Sequence, residues 1–240
     1  MLKKHYILIF IFIASLLPAA QSIAIVSKTK GNVKYKNKKD KTLNKPLKSG
    51  LDLYNNDYIK TGKDGFAKYV YLDDGTQIKI HNNSEVFIRG EIDRRSIIKQ
   101  LKVDEGTVKL EIKKQAIDEF TVITPTSVAS VKGTSFWLDC SGDSGDKFYG
   151  ESGMVSIQNR ESGEKRELVK NTVASSLPNG TLNVRKMTKN ELEMLDSIEE
   201  ETGESGDSNE GGDFGSENNQ IRIELEDESG NQKTIIINIK

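Results

Sequence analysis

From residue 25 to residue 186 the chain alternates apolar and polar residues in short runs, separated by turns rich in glycine, asparagine and aspartate. A period of two places alternate side chains on opposite faces of a strand, whereas a helix needs apolar residues three and four apart, and that spacing does not occur here. Residues 66–80 are the clearest case. Ala67, Tyr69 and Tyr71 alternate with Phe66, Lys68, Val70 and Leu72, Asp73-Asp74-Gly75 reverses the chain, and Gln77-Ile78-Lys79-Ile80 returns. Asn82-Asn83-Ser84 turns it again before Glu85-Val86-Phe87-Ile88, and a third turn over residues 90–95 precedes the strand of residues 96–101. Leu101-Lys102-Val103, Asp104-Glu105-Gly106 and Thr107-Val108-Lys109-Leu110-Glu111-Ile112 read as strand, tight turn and strand, with Val108, Leu110 and Ile112 inward. Pro125, which lacks an N–H, marks an edge or a bend, and the series closes at Glu167-Leu168-Val169. The pattern predicts an all-β body of short antiparallel strands, a sandwich or jelly-roll-like fold, over residues 25–186.

Past that body the pattern changes. Thr188-Lys189-Asn190-Glu191 has capping-box spacing, and Leu192, Leu195 and Ile198 form a helical stripe, so a short acidic helix is expected over residues 187–201. Residues 202–219 are mostly Gly, Ser, Glu, Asp and Asn and read as a disordered acidic linker. Residues 220–240 then form a C-terminal β-hairpin, too small to be stable alone, which needs a surface on the body, on another copy or on another protein. Charge divides the same way. Residues 25–186 hold 29 basic and 21 acidic side chains, and residues 187–240 hold 4 basic and 15 acidic. Such opposition fits either a solvated body with a solubilising tail, or a tail that folds back, or a body that meets an anionic surface.

Ahead of the body, Lys3 and Lys4 precede an apolar run over residues 6–17, followed by Pro18, Ala19, Ala20 and Ser22. This is the layout of a secretory signal peptide, assigned to residues 1–24, and the run is too short to span a bilayer as a helix. Small residues allow a cut after Ser22 or after Ala24. The mature chain is therefore expected outside the cytoplasm, in the periplasm or at the cell surface, with no integral membrane segment. The single cysteine, Cys140, cannot form an internal disulfide and reads as a packed residue at a strand end, so stability must come from a core.

Catalytic chemistry is poorly provided for. Beyond the leader one histidine remains, His81, with no nucleophile motif beside it, and the ligands for a zinc or copper site are lacking. Phosphate-binding glycine loops are missing. Asp73-Asp74 and Asp104-Glu105 lie beside glycines, where turns favour such residues for backbone reasons. The acidic run over residues 207–213 does not have calcium-loop spacing. Lys36, Lys38, Lys39, Lys41, Lys45 and Lys48 lack the interleaved aromatics of a nucleic-acid module. No enzyme, cofactor, metal or nucleic-acid partner is expected, and a glycosidase working from carboxylates alone is the enzymatic alternative.

Several short segments, taken in order, carry a resemblance. They are Gly31-Asn32-Val33, residues 47–50, Asp57-Tyr58-Ile59-Lys60-Thr61-Gly62, Gly65-Phe66-Ala67 and Leu72-Asp73-Asp74-Gly75-Thr76. Glu105-Gly106-Thr107-Val108, Phe120-Thr121-Val122-Ile123-Thr124-Pro125, Val131-Lys132-Gly133-Thr134-Ser135-Phe136 and Glu151-Ser152-Gly153-Met154-Val155 follow. By these the body, from Val26 to about Val184, resembles the FecR domain, named for the periplasmic iron-dicitrate sensor. The motif residues Gly75, Thr76, Gly106, Thr124, Pro125, Gly133, Thr134, Phe136 and Gly153 read as determinants of the fold, with glycines where a side chain would obstruct a bend. The resemblance implies an extracytoplasmic sensing or interaction module without enzymatic activity. In the sensor, signalling to a sigma factor needs a cytoplasmic domain ahead of a membrane helix, and here only Met1 to Lys4 precede the apolar run, so that role is not carried over. The expected partner is an envelope protein or a cell-surface polymer. The alternative is a structural or assembly component of the envelope whose hairpin pairs with a neighbour, and the oligomeric state is open.

Overall fold

The structure, a computed structural model, describes residues 21–94, 96–115, 118–202, 220–227 and 230–238. The signal-peptide reading of residues 1–20 and the linker reading of residues 203–219 lie outside them. All-β architecture is what the described residues show, with one α-helix and a C-terminal hairpin.

Two sheets face each other. The first begins with β19 (Gln232–Asn238), β18 (Gln220–Glu226), β1 (Ala24–Lys30), β6 (Phe66–Tyr71) and β7 (Gln77–Ile80). It continues through the second half of β9 (Ser96–Ile112), then β12 (Thr134–Cys140), β13 (Asp146–Ser152), β16 (Thr172–Ser176) and β17 (Leu182–Lys186). A two-residue strand, β4 (Asp52–Leu53), flanks the start of β1. The second sheet runs β3 (Lys45–Pro46), β2 (Val33–Lys36), β5 (Asp57–Thr61), β8 (Glu85–Asp93) and the first half of β9. Beyond β9 it adds β10 (Phe120–Ile123), β11 (Ser127–Val131), β14 (Met154–Asn159) and β15 (Lys165–Val169). Pairing is antiparallel except between β1 and β18 and between β9 and β10.

The tight turn expected at Asp104-Glu105-Gly106 is not there: β9 runs unbroken from Ser96 to Ile112. Its first half pairs with β8 and its second with β7 and β12, so the chain passes from one sheet to the other at this point. Gly106 allows the passage. Its φ is +98°, and a Cβ there would lie 2.4 Å from the Cα of Ser84. The glycine serves a close approach between strands, with the Thr107 N–H donating to Ser84 Oγ at 3.0 Å, and not a reversal. The strand series also runs past residue 169. β16 carries little bulky apolar content and β17 only Leu182 and Val184, yet they extend the first sheet by backbone pairing.

Between the sheets lies the main core, which includes Val26, Tyr69, Tyr71, Ile78, Ile80, Leu101, Val108, Leu110, Phe136 and Phe148, all buried. The inward set expected on β9 (Val108, Leu110, Ile112) faces it. Cys140 ends β12 and is 1% exposed, and burial pushes its thiol well above the usual range.

Outside the first sheet lie the two tail elements. Helix α1 (Lys189–Glu201) starts with the expected capping box: Thr188 Oγ1 accepts from the Glu191 N–H at 3.3 Å and Glu191 Oε2 from the Thr188 N–H at 2.8 Å. With Leu195 and Ile198, and with Met187 just ahead of it, it covers the outward faces of Trp137, Tyr149 and Val173. The β18–β19 hairpin covers Ile25 and Val70 with Ile221 and Ile223, which are 4% and 1% exposed. Of the surfaces that the hairpin could take, it uses the body's own. Among the described residues no helix is long and apolar enough to cross a membrane.

Candidate functional site

The motif residues singled out in the sequence fall in several places. Gly75 and Thr76 close the β6–β7 turn, where Asp74 Oδ1 accepts from the Thr76 N–H at 2.8 Å and Asp74 Oδ2 accepts from the Thr76 hydroxyl at 3.0 Å. This turn is held to β9 by a buried cation. Lys99, 3% exposed, donates to Asp73 Oδ2 at 2.6 Å, to Asp74 Oδ2 at 3.0 Å and to Gln115 Oε1 at 3.2 Å. Burial and the neighbouring Asp74 raise the Asp73 carboxyl above its ordinary range, against the pull of Lys99. Thr124 and Pro125 form the β10–β11 bend: Thr124 Oγ1 accepts from the Ser127 N–H at 2.8 Å, and the Thr124 and Thr126 hydroxyls both bond the buried Asp146 carboxylate. Phe136 is in the core, stacked with Phe148 at 6.4 Å. Apart from Gly106, which carries the sheet crossing, these residues hold the sandwich together.

Gly133, Thr134 and Gly153, by contrast, come together. The β11–β12 turn and the β13–β14 turn touch, and a Cβ on Gly153 would lie 2.8 Å from Gly133 O and 2.6 Å from Thr134 Cγ2. Gly153 has φ +69°, so a side chain is excluded there by backbone as well as by space. Lys114 lies on the other side, its Cα 3.0 Å from where a Cβ of Gly133 would be. The Thr76 hydroxyl accepts from the Lys113 N–H at 3.1 Å and so ties the end of β9 to the same corner. Around this corner is an open cleft of about 570 Å³.

Three lysines line the cleft, Lys113, Lys114 and Lys132, with Gln77, Ser135 and Ser152 as neutral polar groups, the Ser135 hydroxyl donating to Glu151. Ile112 and Met154 provide apolar wall, and Met154 is 52% exposed. One carboxylate, Glu111, also faces the cleft, but its Oε1 is 3.1 Å from Lys79 Nζ and 3.7 Å from Lys109 Nζ, so its charge is offset from behind. Lys132 meets Glu119 at 3.3 Å with both side chains exposed, a contact worth little in water. The arrangement is positive, open and partly apolar, which suits an anionic group.

Behind the cleft, under α1, is a group of charges that the sequence did not reveal. Lys79 and Lys109, each 1% exposed, reach the same carboxylate: Glu199 Oε1 is 2.9 Å from Lys79 Nζ, and Glu199 Oε2 is 2.7 Å from Lys109 Nζ. Lys109 also lies 5.3 Å from the centre of the Trp137 ring and 3.2 Å from Glu151 Oε1. Burial raises the Glu199 carboxyl, but the hydrogen bonds from Lys109 and Lys79 outweigh it and hold it below the ordinary 4.5. In the sequence both lysines occupy the outward positions of alternating strands, so they read as solvated; only the docked helix makes them buried. His81 sits between Phe66 and Trp137, with ring centres 5.4 and 5.0 Å away. No cluster of three or more histidine, cysteine or carboxylate side chains arranged to hold a metal occurs among the described residues.

Taken together, the fold and the cleft define a two-sheet β module with a helix-and-hairpin cover on one side. Residues 57–148, under half of the chain, match the family model described as FecR protein, the family that the motifs resemble. The match spans β5 to the first half of β13, including the Lys99 network and the β11–β12 turn of the cleft. No curated protein matches the chain. Two crystal structures described as a "putative anti-sigma factor" from Parabacteroides distasonis ATCC 8503 are similar to it at 17% and 18% identity, with TM-scores of 0.47 and 0.48. The alignments cover 57% of this chain and 62% and 63% of those chains, less than two thirds of their length.

Proposed function

We propose that this protein is an exported, non-enzymatic FecR-domain module of the periplasm or cell surface that binds or senses an anionic envelope partner at the lysine-lined cleft. The single observation that carries the reading is the cleft itself, where Gly133 and Gly153 bring two turns together beside Lys113 and Lys114. The lining offers charge and hydrogen-bond donors for an acidic protein segment or polymer. His81 and Cys140 lie away from the cleft, at the far ends of the strands that line it, and both are buried, His81 between Phe66 and Trp137. A sensing role is consistent with the FecR domain. The alternative, an assembly component that pairs through its hairpin, has less support, because Ile221 and Ile223 are already covered by the chain's own Ile25 and Val70.

The test uses poly-glutamate as a defined acidic probe and a neutral polymer as control. Wild-type protein should bind poly-glutamate with a steep dependence on salt, and the double variant Lys114→Glu, Lys132→Glu should bind at least about tenfold more weakly, a difference of about 1.4 kcal/mol. Equal binding by the variant would remove the cleft from the account. Fractionation of the host cell tests export separately.

A further inference from the structure

We infer that the exported chain is cut between Ser22 and Ile23, and not after Ala24; the inference rests on the export reading above. In the sequence both positions satisfy the need for small residues at the first and third places before a cut. The fold separates them, because Ile23 and Ala24 belong to the core. They are 1% and 0% exposed. The Ile23 N–H donates to Leu53 O at 2.9 Å, and Ile23 O accepts from the Leu72 N–H at 3.1 Å. Ala24 stands in register between Leu53 and Tyr71. The side chain of Ile23 fills space left by a glycine of β8: a Cβ on Gly90 would lie 2.9 Å from Ile23 Cδ1.

A cut after Ala24 would remove both residues, leave Leu53 O and the Leu72 N–H without these partners, and open a cavity over Gly90. Cutting after Ser22 keeps every one of these contacts. Hydrolysis adds water across the Ser22–Ile23 peptide, leaving a carboxylate on Ser22 and an amino group on Ile23. Once protonated, that amino group still donates to Leu53 O. Water reaches it, since Ser22 is only half-buried and Gln21 is exposed, so the chain leaves the body just ahead of Ile23.

Ala20 distinguishes the two sites. It is third before a cut at Ser22 but fifth before a cut at Ala24, where a large residue is tolerated. The intact mass and N-terminal sequence of the exported full chain should begin at Ile23. Ala20→Phe should lose the chain that begins at Ile23, leaving the precursor uncut or cut only after Ala24, while Ala19→Phe should be processed as wild type. A wild-type exported chain beginning at Ile25, or an Ala20→Phe chain still beginning at Ile23, would overturn the assignment and leave export standing. Wild-type chain kept uncut in the cytoplasm would overturn export and the cut together.

Discussion

Single residues carry much of this fold's specificity, and Glu199 is the most exposed to test. Its carboxylate is shared by two lysines that have no access to water, so its loss leaves buried positive charge partly uncompensated. Glu199→Ala should lower unfolding stability by about 3 kcal/mol in urea titration, whereas loss of the exposed Lys189–Glu193 pair at 3.1 Å should change it by less than about 0.5 kcal/mol. The pH dependence follows from sign. The folded carboxyl titrates below its ordinary 4.5, so its contribution is fully present above that value and is lost as pH falls through the lower folded value. Wild-type stability should therefore fall more steeply below pH 4.5 than that of Glu199→Ala. Gly106→Ala should destabilise on the order of 3 kcal/mol or prevent folding, because the new Cβ meets the Ser84 backbone and the φ is unfavourable. If Gly106→Ala unfolds like wild type, the close crossing of β9 over Ser84 is wrong.

At the scale of elements, α1 and the hairpin are parts of the folded body. A chain ending at Lys186 would leave Trp137, Val173, Ile25 and Val70 uncovered and the two lysines without Glu199. Burial of Leu195 alone is worth about 1.5–3 kcal/mol, and the ionic contact adds to it, so truncation should cost on the order of 4 kcal/mol or more. Trp137 is the sole tryptophan, which makes its fluorescence a direct report on helix docking. Emission should shift to the red in the truncated chain, and an unchanged spectrum would mean that α1 does not cover the ring. The capping box and the apolar stripe made this helix legible from residues 188–198, since both are local. Its docking was not legible: Glu199 lies among the acidic residues at the helix end and looks like any of them until the sheet beneath it is known.

For the molecule as a whole, the described part of the acidic tail meets the basic body at a few points, Glu199 on Lys79 and Lys109, Glu226 on Lys28 and Glu191 on Arg185. The pairs of Glu199 with Lys79 and Lys109 lie at 1–2% exposure on the lysine side and so are little screened, while Lys114 and Lys132 of the cleft are exposed. Raising salt to about 1 M, where the Debye length is about 3 Å, should leave thermal stability nearly unchanged and abolish most binding of an acidic probe. A parallel loss of both would place the important ion pairs on the surface instead.

The sequence by itself determined the all-β class, the alternation in β6, the inward residues of β9, most turns, the cap of α1 and the family to which the motifs point. Each of these depends on neighbours within a few residues, where side-chain alternation and glycine or proline chemistry leave a readable trace. Tertiary structure alone decided that Gly106 carries a crossing between sheets, that β16 and β17 belong to the first sheet, and that Lys79 and Lys109 are buried. It also decided that Gly133 and Gly153 meet beside Lys114, and that Ile23 and Ala24 belong to the core. An outward position on a strand is solvated or covered according to what a distant segment does, and no local period records that choice.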